Sequence, residues 1–114
     1  MSRRTAVLYD LVNGSRPVDQ VSEELATFGW DSEEELVVLN RSQVAAILTD
    51  YLAGFRSATE VQAWAEAIEG RDDVGIATDS AVDLHDMIFR LANPELGHAL
   101  TALFAQKLIR ELQV

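Results

Sequence analysis

The chain contains no cysteine. That excludes disulfides, thiolate zinc sites and a cysteine nucleophile. No apolar run reaches the ~18 residues of a membrane span, and the start, "MSRRTAVLYDLVNG", carries two arginines without a run of signal-peptide length. The reading that follows is a cytoplasmic protein without a membrane partner. Glycine-rich phosphate loops of the P-loop or dinucleotide type are missing, and so is a G-x-S-x-G elbow. Bases are scarce in two long stretches. Pro17 to Asn40 holds seven acids and no base, and Ser57 to Asp86 holds eight acids against Arg71 alone.

What is present is a chain of 114 residues, 48% apolar, 25% charged and with a net charge of −10. That length suits one domain spanning 1–114 and buries roughly two thirds of its unfolded surface. An acidic field repels nucleic acid and anionic lipid and attracts basic partners.

Apolar residues recur at helical spacing. Val18, Val21, Leu25 and Phe28 form one stripe. Val44, Ile47, Leu48, Tyr51 and Leu52 form a second, and Val61, Trp64, Ala65 and Ile68 a third. Leu100, Leu103, Phe104, Leu108 and Leu112 form a fourth, and "TAVLYDLV" is a shorter candidate. Stop and start signals agree. Gly14 and Gly54 suit left-handed helix ends. Pro17 suits a first helical turn, and Thr101 suits a cap. Ser57 with Glu60, and Ser32 with Glu35, match a capping box. Ala81 to Ala92 is apolar over so wide an arc, His85 and Phe89 included, that it predicts a central, buried helix. "ELVVL" (35–39) reads as an extended connector without a partner, Leu36 and Leu39 pointing inward. These features predict an all-α, single-domain bundle of five or six helices built from helical hairpins, with a C-terminal helix pair at about 81–113.

An ungapped offset of 40 residues lays "AVLYDLVNGSRPVDQV" on "AILTDYLAGFRSATEV". Ala6/Ala46, Leu8/Leu48, Asp10/Asp50, Gly14/Gly54, Arg16/Arg56 and Val21/Val61 coincide, which predicts a repeated hairpin at about 6–28 and 46–68. At this offset "EGRDDVG" (69–75) begins on Gly29, so each hairpin would end in an acid-bearing corner.

Chemical motifs fail one by one. Asp72 to Asp83 has the length of a calcium loop, but Val74, Ile76 and Ala77 stand where oxygen ligands and glycine are required, so no metal is expected. Asp72 and Asp73 in a glycine-flanked turn should be well solvated, which disfavours the raised pKa that acid–base catalysis needs. His85 and His98 lack zinc-ligand spacing. Neither helix that could serve as a DNA-recognition helix carries the needed cations. No catalytic residue and no cofactor is expected.

The remaining candidates for partner binding are Asp31, Glu33, Glu34, Glu35, Glu69, Asp72, Asp73, Asp79, Asp83 and Asp86, since clustered carboxylates steer basic proteins. The stretches "WDSEEELVVL", "YLAGFRSATEVQAWAEAIEGRDDVG" and "LANPELGHALT" together resemble a group of short, acidic, helical bacterial proteins, mostly uncharacterised. A more distant likeness links such proteins to the immunity proteins of bacteriocin and contact-dependent-inhibition systems. The resemblance implies a non-enzymatic protein that binds a basic toxin. Two other readings stand beside it: a scaffold using apolar contacts, with acidity serving solubility, and an enzyme assembling scattered acids with His85 or His98.

Overall fold

The computed structural model describes residues 2–29, 31–78 and 82–113. Among them lie α1 (Arg3–Asn13), α2 (Val18–Leu25), β1 (Val37–Leu39), α3 (Arg41–Leu52), α4 (Ala58–Ile68), β2 (Val74–Ile76), α5 (Leu84–Ala92) and α6 (Ala102–Leu112), with a 3-10 turn, Pro94–Leu96, before the last helix. The fold is a helical bundle threaded by one small parallel sheet.

Local chemistry sets most helix starts. The Ser57 hydroxyl accepts from the Glu60 amide, and Glu60 reaches back to the Ser57 amide at 3.1 Å. Asn40 and Gln43 form a second box that starts α3. Thr101 caps α6 and Asp83 caps α5. Each such cap contributes about 1 kcal/mol. Pro17 occupies the cap position of α2 rather than its first turn and makes no side-chain bond there. Ser32 starts no helix, because its hydroxyl donates to the carbonyl of Glu34 inside a loop.

Packing centres on α4, not on the segment 81–92. Helix α4 touches α1, α2, α3 and α5. Its Trp64 is 1% exposed, and the indole N–H donates to the Leu11 carbonyl at 2.8 Å. Truncating a side chain of this size in a core costs about 3–5 kcal/mol. Helix α5 lies on α4, whereas α6 lies on α3, so the C-terminal helices dock on different partners. The outer face of α5 is therefore uncovered, and His85 and Phe89 are both exposed. The wide apolar arc is covered only in part: Leu84, Met87, Ile88, Leu91 and Ala92 are buried, and among the described residues nothing covers His85 and Phe89.

The turns after α1 and α3 are built alike. The Ser15 amide donates to Asp10 O at 3.1 Å, and the Phe55 amide to Asp50 O at 2.9 Å. Arg16 pairs with Asp10 at 3.3 Å and Arg56 with Asp50 at 3.1 Å. Arg56 also crosses to the first turn, donating to the Gly14 carbonyl at 2.7 Å. Gly14 has φ +62, and a Cβ there would lie 2.5 Å from Ile47 Cδ1.

The segment 35–39 is not a lone connector. Val37, Val38 and Leu39 pair in parallel with Val74, Gly75 and Ile76. Val37 and Leu39 are buried and Val38 is exposed, while Leu36 is only partly covered. The inward pair is thus Val37 and Leu39, as strand alternation requires.

Candidate functional site

Parallel pairing brings the two acid-rich corners together. The Leu36 amide donates to the Asp73 carbonyl at 2.8 Å, just upstream of the Val37–Val74 pair. Parallel strands enter a sheet from the same end. The loop 31–35 and the turn 69–73 therefore approach the sheet side by side. Asp31, Glu33, Glu34, Glu35, Glu69 and Asp72 are all exposed there. Among the described residues, no arginine or lysine forms an ion pair with any of these six. Among the described residues, the Glu69 carboxylate accepts from the Asn93 side-chain amide at 3.5 Å. Glu35 lies across β2, its carboxyl carbon 2.6 Å from where a Cβ on Gly75 would stand.

Asp73 does not belong to this surface. It is 0% exposed, which corrects the expectation of a solvated, partner-facing residue. Arg71 grips it with two bonds, Nε to Oδ1 at 2.8 Å and Nη2 to Oδ2 at 3.0 Å. Arg4 on α1 adds Nε to Oδ2 at 2.9 Å. The same guanidiniums hold the loop above, Arg71 through the Gly29 carbonyl at 2.9 Å and Arg4 through the Asp31 carbonyl at 3.0 Å. Burial alone would push the Asp73 carboxyl up. The hydrogen bonds from Arg71 and then Arg4 outweigh it and hold the group below its usual 3.8. The knot turns Arg4 and Arg71 toward Asp73 beneath the rim, and its net charge of about one positive is small against the six carboxylates above. No local signal sets Asp73 apart, since Arg71 stands even closer in sequence to the exposed Asp72.

Asp83 and Asp86 lie apart from the rim. Asp83 caps α5 through the Asp86 amide at 3.0 Å, and Asp86 pairs with Arg90 at 2.9 Å. It is Asn93, past the other end of α5, that reaches Glu69. A nine-residue helix puts about 13 Å between its ends. Asp79 lies outside the described residues. His85 is exposed on α5, and His98 is half-buried ahead of α6. Among the described residues, no three carboxylate or imidazole groups converge as metal ligands would, and no helix is long and apolar enough to cross a membrane. No known protein family, curated protein or solved structure matches the chain.

Proposed function

We propose that the protein is a non-enzymatic binding module whose acidic rim receives the basic surface of another protein, in the way an immunity protein occupies a basic toxin. The observation that supports this reading is the rim itself: six exposed carboxylates from two distant segments, joined by one parallel strand pair, with the two adjacent arginines turned inward. A merely solubilising charge needs no such convergence, and a solvated helix start does not explain it, because no helix begins at 31–35. A like-signed patch of this kind raises association rates and loses its effect in salt.

The test is affinity capture from host extract with the wild-type protein and with Glu33→Gln, Glu34→Gln, Glu69→Gln and Asp72→Asn combined. The expected outcome is capture of a basic protein that the neutralised variant and high salt both abolish. Equal capture by both proteins would sink the rim reading. A second reading is favoured by exposed apolar side chains on and around α3 and α6, Phe55 at 79% and Leu103 at 78%. A scaffold binding through these would hold its partner equally well at low and high salt.

A further inference from the structure

A cleft of about 550 Å³ opens between the α1–α2 and α3–α4 turns. Its walls include Pro17, Val18 and Ala63, and the Phe55 ring stands at its side, 79% exposed. Asp19 and Glu60, from the first turns of α2 and α4, also line it. Two arginines reach the cleft, but both are committed. Arg56 spends Nε on Asp50 and Nη2 on the Gly14 carbonyl. Arg16 is bound to Glu24 and Asp10, whose hydrogen bonds push its pKa up. Asp19 and Glu60, by contrast, form no ion pair among the described residues.

Charge decides what such a cleft takes. Asp10, Glu24 and Asp50 with Asp19 and Glu60 set five negative charges against three guanidiniums, since Arg3 also pairs with Glu24. The N-terminal ends of α2 and α4 add roughly half a positive charge each, and the C-terminal ends of α1 and α3 at the same turns remove as much. The balance remains negative by about two charges, so an anion is repelled and a cation attracted. The apolar wall suits an aliphatic stem that carries its charge at the tip. An exposed phenyl ring suits a cation over its face.

We propose that this cleft, at the end of α4 opposite the rim, is a subsite for one arginine or lysine side chain of a protein partner that extends past the rim, the stem lying along Pro17, Val18 and Ala63 and the charged tip held by Phe55, Asp19 and Glu60. The partner's being a basic protein rests on the function proposed above; the chemistry of the cleft is tested without it. The experiment is an amide-resolved NMR titration of the whole protein with acetyl-arginine methylamide, acetyl-lysine methylamide and acetyl-glutamate methylamide. The basic probes should shift the amides of Asp19, Phe55, Glu60 and Ala63 saturably, and the acidic probe should not. Asp19→Asn with Glu60→Gln should weaken the arginine probe about tenfold, the loss of two exposed charge contacts. Glutamine keeps the reach that the α4 capping box needs. Phe55→Ala should weaken it about threefold. The rim variant used for capture should bind the probe as wild type does. Arginine-probe shifts that do not saturate, equal shifts from the acidic probe, or an unchanged affinity in the Asp19/Glu60 variant would each overturn the proposal. Loss of capture with the probe site intact touches the rim alone, and loss of the probe site with capture intact touches the cleft alone.

Discussion

Asp72 and Asp73 are chain neighbours of the same type, yet one faces solvent and the other is fully buried. The difference lies in what approaches each. Asp73 turns toward two guanidiniums, one supplied by α1 and one by its own turn. Asp72 turns toward open solvent beside Glu33, Glu34 and Glu35. The buried acid, through Arg4 and Arg71, fastens α1, Gly29, Asp31 and the start of β2 into one knot. Among the described residues the exposed acids have no ion-pair partner, while Arg4 and Arg71 are turned to Asp73. Charge in this molecule is thus divided by depth into a structural share and a share available to a partner.

Breaking the buried side should have the largest effect. Asp73→Asn leaves two guanidiniums facing a neutral amide, and removing one member of a buried ion pair costs about 3–5 kcal/mol. Asp72→Asn should change stability by less than about 0.5 kcal/mol. Urea unfolding of the two variants measures the contrast, and equal midpoints would remove it. Acid sharpens the same comparison. The folded-state pKa of Asp73 lies below its unfolded value near 3.8. Its contribution is therefore complete above 3.8 and is lost as pH falls through the lower, folded-state value. Wild type and Asp73→Asn should differ most at neutral pH and converge in strong acid.

The two hairpin turns repeat the contrast between covered and open sites. Gly14 and Gly54 both have positive φ, +62 and +87. A Cβ on Gly14 would meet Ile47 at 2.5 Å and Arg56 Nη2 at 2.7 Å, whereas one on Gly54 would meet nothing within 4 Å. Gly54→Ala should cost about 1 kcal/mol from backbone strain alone. Gly14→Ala should cost about 2–4 kcal/mol, because overpacking is added to the strain. Thermal melts of both variants check the order, and a Gly54→Ala loss as large as that of Gly14→Ala would show that contact is not what distinguishes the turns.

Legibility followed the same division between local and distant causes. The boxes at Ser57/Glu60 and the cap at Thr101 act within four residues, so the sequence displayed them. The 40-residue offset picked out Asp10/Arg16 and Asp50/Arg56, which do form matching pairs in the two turns. It could not locate the sheet, whose register joins residues 37 apart, Val37 with Val74. Strand β2 is three residues long and contains Gly75, so it gave no periodic signal. The burial of Asp73 depends on Arg4, 69 residues away, and no local pattern carries that. Ser32/Glu35 misled because a capping pattern is also met by a loop whose hydroxyl binds its own backbone. Of the candidate acids, the sequence marked the six rim residues but did not separate them from Asp73, Asp83 and Asp86; the strand pairing gathers the six, the arginine knot takes Asp73, and α5 places Asp83 and Asp86 elsewhere.

The smallest stability effect belongs to the rim, and there the contrast becomes functional. Neutralising Glu33, Glu34, Glu69 and Asp72 removes four like charges from one surface and breaks no ion pair to a described cation. Stability should hold within about 0.5 kcal/mol or rise slightly, as self-repulsion falls. Association with a captured basic partner should slow by about tenfold or more at low salt, with a much smaller change in dissociation. The difference between variant and wild type should shrink as salt shortens the reach of the field. Stopped-flow association across a salt series measures it. A variant that associates at the wild-type rate in low salt would leave these carboxylates no part in steering. A variant that instead unfolds as readily as Asp73→Asn would erase the boundary between the charges that hold the fold and those that face outward.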